Sequence, residues 1–271
     1  MANTEEIVHV IPLGWEYDRA ILPFSRFTAH RVYVLCDPTG HPRREYYLAK
    51  VLKYLRARRI DVSVVRVDTF MDLPGTMREV SRILQTELDE GARVYVNVST
   101  SGKLAAIGVA LAAMAHLSPE RGGLYYVPAL DYPASEVAQK RYGMSRGMKG
   151  DPLNLPLFEL TLPNAASRIV LSALVESSTK QLAYSAARRL LFSSGFDGFG
   201  SLTESKHSRT QRNRWNVNLY RRVVQPLLRQ RLVEVESSGR DKALRLTRAG
   251  EYVACLCLTT PEATALRSTR S

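Results

Sequence analysis

The residue types best suited to chemistry fall in one short stretch, Asn97-Val98-Ser99-Thr100-Ser101-Gly102-Lys103. Small hydroxyl residues and a glycine separate the β-favouring run 94–98 from an Ala-rich amphipathic run that opens at Leu104. That order predicts a buried strand, a tight polar turn and a helix N-terminus. The first N–H groups of a helix lack internal partners and carry about half a positive charge, so such a turn can receive an anion. Lys103 adds a full charge at its mouth. Ser99, Thr100 and Ser101 can equally serve only as caps. A nucleoside-triphosphate P-loop is excluded, because it needs glycine where Asn97 stands and Ser or Thr where Leu104 stands.

A second set of chemically useful residues lies near the C-terminus, in a basic stretch that begins with Arg209 and Arg212. On a helical projection Val217, Tyr220, Val223, Val224, Leu227 and Leu228 share one side. Arg214, Asn218, Arg221, Arg222, Gln225 and Arg229 share the opposite one. An apolar stripe docked on a core would present arginines and amides outward, the types that bind phosphates and base edges. Pro226 lacks an N–H and crowds the preceding turn, so the helix must kink or restart there. Residues 232–236 and 242–246 alternate around Ser237-Ser238-Gly239, which predicts a β-hairpin with Arg240 and Lys242 near its tip. Helices over 166–175 and 179–194 precede the basic helix, a glycine-rich break spans 195–200, and a closing helix follows from 247. This order describes a winged helix-turn-helix with the hairpin as wing, and double-stranded DNA as partner.

The N-terminal part must position the Ser99–Lys103 turn. Strands are expected at 7–13, 32–36, 62–67, 94–98 and 124–128, the last after a Gly122-Gly123 turn. Amphipathic helices fall between them, over 43–59, around Met77 to Leu88, and over 104–117. Such alternation predicts an α/β, Rossmann-like fold, a mostly parallel sheet covered on both faces. Ligands of such sheets sit at the carboxyl ends of the strands, so Leu13 and Gly14 would lie near the Ser99–Lys103 turn if their strands are adjacent. No G-x-G-x-x-G follows the first strand, which excludes a nicotinamide site. Residues 131–156 read as an irregular glycine-bearing loop and 157–162 as a last strand. The expected domains are 1–163 for ligand sensing and dimerisation, 164–260 for DNA binding, and a flexible tail over 261–271.

Composition narrows the partners. The 271 residues carry 38 Lys and Arg against 26 Asp and Glu, a formal charge of +12 that favours polyanions. Neither a secretory signal nor an uncharged apolar run of membrane-spanning length is present, so a soluble, cytoplasmic protein with no membrane partner is expected. Cys36, Cys255 and Cys257 cannot alone form a four-ligand metal framework, and the five histidines are scattered. No metal, no cofactor and no catalytic residue is assigned.

Both parts together resemble the CARF-domain transcriptional regulators associated with CRISPR loci, and the related archaeal regulators that join a CARF-like domain to a winged helix. The resemblance rests on Leu13-Gly14 and Asn97–Lys103, then on Leu219-Tyr220-Arg221-Arg222, Pro226-Leu227-Leu228, Leu232-Val233-Glu234-Val235 and Leu246–Glu251. Ser101 stands where many members carry a second glycine. It implies a homodimer in which two such turns face each other across a two-fold axis and hold a cyclic oligoadenylate. Leu13, Gly14, Asn97, Ser99, Thr100, Ser101, Gly102 and Lys103 would line that site. Arg209, Arg212, Arg214, Asn218, Arg221, Arg222, Arg240 and Lys242 would contact DNA. The alternatives are a CARF-type ring nuclease that slowly cleaves the cyclic ligand, and a winged-helix regulator with another or no small-molecule effector. For cleavage, Lys103 with Ser99 or Ser101 would stabilise the transition state, but no general base is evident beside them. A ribonuclease effector is excluded, because residues 197–203 contain no arginine to pair with His207.

Overall fold

In the computed structural model the described residues are 5–68, 71–200, 208–238 and 241–257, with backbone alone at 209, 238 and 241. Arg240 and the tail 261–271 lie outside them. The chain divides into two compact units, Met1–Leu160 and Thr161–Ser271.

Unit one opens with β1 (Ile7–Pro12), followed by a short α1 (Asp18–Ile21) and a 3-10 turn, Leu22–Ser25. Then come β2 (Arg31–Cys36), α2 (Pro42–Ala57), β3 (Asp61–Arg66), α3 (Leu73–Asp89), β4 (Arg93–Asn97), α4 (Lys103–His116) and β5 (Gly122–Tyr126). The helices begin where the sequence supplies caps. The His41 ring accepts from Arg43 N at α2, the Asp72 carboxylate accepts from Gly75 N at α3, and proline follows in each first turn. Gly91, at φ +86°, stops α3 in the conformation a non-glycine residue resists.

The sheet order is β3-β2-β1-β4-β5, all parallel. Chain order reverses between β1 and β4, so their carboxyl ends form the crevice where doubly wound sheets bind ligands. Val32 and Val34 of β2 and Ile11 of β1 pack on Leu48, Val51 and Leu55 of α2, while right-handed crossovers put α3 and α4 on the other face.

Three local expectations are corrected in this unit. Gly122 and Gly123 open β5 instead of forming a turn before it. A Cβ at Gly122 would lie 1.8 Å from the Val94 carbonyl oxygen, so the strand itself requires the missing side chain. Residues 131–156 are ordered into elements: β6 (Ala129–Asp131) and β7 (Arg146–Met148) pair antiparallel around α5 (Glu136–Tyr142). The last strand is β8 (Leu153–Leu155), antiparallel to β5, and 157–160 form no strand. The sheet edge beside β5 is already taken by β8, so alternation over 157–162 finds no partner.

Unit two contains α6 (Ala165–Glu176), β9 (Gln181–Ala183), α7 (Tyr184–Ser193) and α8 (Arg209–Leu219). A π-helical turn (Tyr220–Val224), α9 (Gln225–Arg229), β10 (Val233–Ser238), β11 (Asp241–Leu246) and α10 (Arg248–Leu256) complete it. The sheet runs β10-β11-β9, antiparallel throughout. The helix expected from 179 therefore starts at Tyr184, because Gln181–Ala183 pairs with β11 as a third strand. Val170, Leu171, Leu174, Leu191, Leu219 and Leu244 share one core. Pro226 cannot bond to the carbonyl one turn earlier, that of Arg222, and Asn164 Nδ2 donates to this oxygen instead, at 3.1 Å.

His9, on β1, is 1% exposed and packed among the rings of Phe24, Phe27, Tyr95 and Tyr125, with centroids 5.1–5.9 Å away. Its ring nitrogens lie 3.2 Å from the Tyr125 hydroxyl and the Thr28 carbonyl oxygen. Burial lowers its pKa from 6.5 to about 4, partly opposed by the bond to Thr28. Between these two values the unfolded chain takes up a proton that the folded chain refuses, so stability falls as pH falls through that window. The drop in urea-unfolding free energy from about pH 7 to pH 4 should exceed that of His9→Phe by on the order of 3 kcal/mol. Parallel pH curves for the two proteins would remove His9 as the cause.

Candidate functional site

Polar atoms in the turn after β4 divide into two groups. Asn97, Ser99 and Thr100 are buried, at 0%, 5% and 0% exposure, and each is spent on scaffold bonds. Asn97 Oδ1 accepts from Ser99 N at 2.8 Å, and its Nδ2 donates to the Arg19 carbonyl at 3.2 Å. Ser99 Oγ accepts from Val127 N at 2.5 Å. Thr100 Oγ1 donates to the Pro12 carbonyl at 2.7 Å, and the Thr100 carbonyl accepts from Gly14 N at 2.7 Å. Leu13 is buried, and its N–H donates to Leu35 O at 2.7 Å. The side chains of Asn97, Ser99 and Thr100, expected from the sequence to meet ligand, thereby tie the turn to α1, to the chain after β5 and to β1, while Leu13, expected there too, is buried and its backbone bonds to β2. A hydroxyl enclosed by apolar core must find an internal partner, and these do.

Ser101 and Gly102 are half-buried and Lys103 is exposed. Gly102 is the N-cap of α4, and no side chain caps that helix. The amides of Lys103, Leu104 and Ala105 occupy the first three helical positions, which have no carbonyl to reach within their own helix. Lys103 stands beside them.

Trp15, next along the chain from Gly14, joins the same end of the sheet. Its ring lies 5.9 Å from His41, and the Arg43 guanidinium sits 4.8 Å from its ring centre. Trp15 Nε1 and Arg43 Nε and Nη2 are buried and find no hydrogen-bond partner among the described residues. Three enclosed donors are thus left to an acceptor supplied from elsewhere. Sequence reading passed these two residues over; the usable signal was their position, Trp15 just after β1 at the switch point and Arg43 in the first turn of α2, which follows β2. Behind them, buried Arg19 donates to the Val127 carbonyl at 2.7 Å. Burial pushes the Glu16 carboxyl up, while the Ser145 hydroxyl that donates to it and Arg19 pull the other way.

In unit two, α8 is capped by Ser208 Oγ, which accepts from Gln211 N at 3.2 Å. Arg212, Arg214, Arg221 and Lys242 are exposed, while the Arg209 side chain is outside the description, as is Arg240. Asn218 and Arg222 are engaged: Asn218 Nδ2 donates to Gly198 O at 2.8 Å, and Arg222 Nη1 donates to Asp197 O at 3.2 Å. The Arg222 guanidinium also lies 4.9 Å from the Phe199 ring centre. These two brace the 195–200 turn.

The helix faces also differ from expectation. Val217 and Tyr220 are 47% and 45% exposed, while Trp215, Leu219, Val223 and Leu227 are buried at four-residue spacing. The π turn over 220–224 advances the chain less per residue than an α-helix does, which sustains that spacing. Tyr220, Val217, Arg221 and Lys242 line a groove of about 850 Å³ together with Tyr184 and Arg188.

No helix among the described residues is long and apolar enough to cross a membrane, and none of their His, Cys, Asp and Glu residues cluster as a metal site would. Residues 7–132 match the family described as HFX_2341_N:-like, N-terminal, and residues 167–257 match the DUF6293 C-terminal winged helix domain. No curated protein matches the chain significantly. Similar solved structures include Enterococcus italicus Csm6 bound to cyclic hexa-2′-fluoro-hexa-dAMP, at 12% identity and TM-score 0.41, covering 84% of this chain and 57% of that one. Protein VC1899 from Vibrio cholerae is similar at 11% identity and TM-score 0.40, covering 92% and 64%. Can2 from Sulfobacillus thermosulfidooxidans in complex with cyclic tetra-adenylate shows 14% identity and TM-score 0.37, again covering 92% and 64%. The chain spans less than two thirds of the length of each of these three structures. By its two family matches, the protein joins an HFX_2341-like N-terminal domain, here a mostly parallel α/β sheet, to a DUF6293-type winged helix domain.

Proposed function

We propose that this protein is a nucleotide-responsive transcriptional regulator. Its 1–163 part senses a cyclic oligoadenylate as a homodimer, and its 164–260 part grips double-stranded DNA. The observation that carries the reading is the uncapped N-terminus of α4, with Lys103, at the switch point of a sheet whose chain continues into a winged helix domain. Phosphate oxygens suit the free first-turn amides and Lys103, and they would also satisfy the buried donors of Arg43. Ser101 is left to meet the ribose or a phosphate, since Ser99 and Thr100 are occupied.

Dimerisation draws support from the outer side of α4. Leu104 and Ile107 are 40% and 50% exposed, and half-buried Leu111 and Met114 continue the same side. A helix apolar nearly all round belongs in an interface. An isologous contact there would bring two Lys103 turns to one two-fold ring of phosphates. The family resemblance adds a cytoplasmic location and a role in CRISPR-associated defence to this reading.

Calorimetric titration with cyclic tetra-adenylate should give micromolar or tighter binding at one ring per two chains. Lys103→Glu should weaken it by about tenfold or more, since it turns an attraction at a phosphate into a repulsion. Thr100→Val should instead lower unfolding free energy by about 1–3 kcal/mol, because it orphans a buried carbonyl. No binding heat from an intact dimer overturns the ligand half of the proposal.

For the DNA half, the double variant Arg221→Glu, Lys242→Glu should abolish duplex binding while leaving the helical circular dichroism spectrum unchanged. Retained affinity in a mobility-shift titration would move the DNA contact to another surface.

A further inference from the structure

On a basic helix, the side chains that face water ought to be charged or amide-bearing throughout. Two are not. Val217 and Tyr220 expose almost half their surface, although the same helix buries Trp215 and Leu219 completely or nearly so. Exposed Asn213 and Asn216 are their neighbours, and neither side-chain amide is engaged among the described residues, in contrast to Asn218. At about 100° per residue, Asn216, Tyr220, Asn213 and Val217 fall within one arc of about 100°, with Arg212 on one flank and Arg221 on the other. Two amides and two apolar groups form the centre of a stripe whose margins are cationic.

The margins match a phosphate backbone, as Arg221 shares its groove with Lys242 of the wing. The centre matches a different chemistry. A carboxamide presents one donor and one acceptor side by side, the complement of adenine N6 and N7, and an aliphatic side chain packs on the thymine C5 methyl. Guanine is read most often by arginine or lysine, and from 213 to 220 this arc holds neither.

We infer that Asn213, Asn216, Val217 and Tyr220 form the base-reading face of this helix and that they select A·T pairs in the major groove. The inference rests on the DNA-binding reading above and extends it from affinity to sequence preference.

The test is selection of duplexes from a randomised library by the full-length protein, repeated with Asn216→Ala and Val217→Ala. The wild type should enrich sites with A·T pairs at fixed positions. Asn216→Ala should lose the adenine preference at its position, and Val217→Ala that at an adjoining thymine, by about tenfold each, the scale of one base contact. Affinity for unselected duplex should stay the same, because the flanking arginines are untouched. Replacing that thymine by deoxyuridine deletes only the methyl group. It should weaken the wild type and leave Val217→Ala unaffected. Selected sites with G·C at the variant-sensitive positions, a consensus unchanged in both variants, or indifference of the wild type to deoxyuridine would overturn the inference while DNA binding itself stands. Failure of the wild type to bind any duplex would overturn the DNA-binding reading along with it.

Discussion

At the carboxyl ends of β1 and β4 two loops are joined by a pair of hydrogen bonds, Gly14 N to Thr100 O and Thr100 Oγ1 to Pro12 O. Everything the N-terminal unit offers a ligand depends on that joint. Parallel strands end without hairpins, so each leaves unpaired backbone groups beneath whatever covers the sheet. Here Asn97, Ser99 and Thr100 bond to Arg19, Val127 and Pro12 respectively, all in the interior. Buried polar groups that lose such partners cost the full penalty of desolvation. A loop held this way has one conformation, and the N-terminus of α4 begins from it. Labour is divided along the turn: its first hydroxyls hold the scaffold, while the backbone amides and the lysine at its far end stay available to an anion.

The winged helix unit depends on a comparable repair. Pro226 frees the Arg222 carbonyl, Asn164 takes it, and the chain eases through a π turn directly before the proline. Spreading the turn shifts the helical phase. Val223 and Leu227 then stay on the core side with Leu219 at intervals of four, while Val217, which precedes the π turn, lies opposite Trp215 in ordinary α-helical phase. The π turn ahead of the proline therefore keeps Val223 and Leu227 in the core that Leu219 shares.

Much of the architecture was legible because it rests on periodicity, which survives without tertiary knowledge. The alternating strands and helices of the first 126 residues, the stop at Gly91 and the hairpin after Leu232 all lie close to where patterning put them. What could not be read from pattern was decided by neighbours far away in sequence. Gly122 resembles a turn glycine until the Val94 carbonyl is found pressed against it. Gln181–Ala183 resembles the start of a helix until β11 offers it an edge, 60 residues later by its pairing of Ala183 with Ala243. In the turn at 97–103 the residue types were visible but their allocation was not, since a hydroxyl that binds ligand and one that binds Pro12 O look alike in one dimension. Trp15 and Arg43 were missed for the same reason. A tryptophan after a glycine is unremarkable until its indole N–H is seen enclosed without an acceptor.

On the proposed reading, the coupling between the units follows from symmetry and needs no relay of side chains. One chain supplies one α4 terminus and one Lys103, which is half of what a two-fold ring of phosphates can engage. One chain likewise supplies one recognition helix, which is half of a palindromic operator whose half-sites lie about one helical turn, roughly 34 Å, apart. Ligand and operator then each stabilise particular dimer geometries, and they influence one another only where their preferred geometries differ. If the ring favours the spacing that the operator also favours, it tightens DNA binding, and the operator must tighten ring binding by the same factor. If it favours another spacing, both affinities fall together. A ring that fits both geometries equally well would bind without regulating, however tightly it was held.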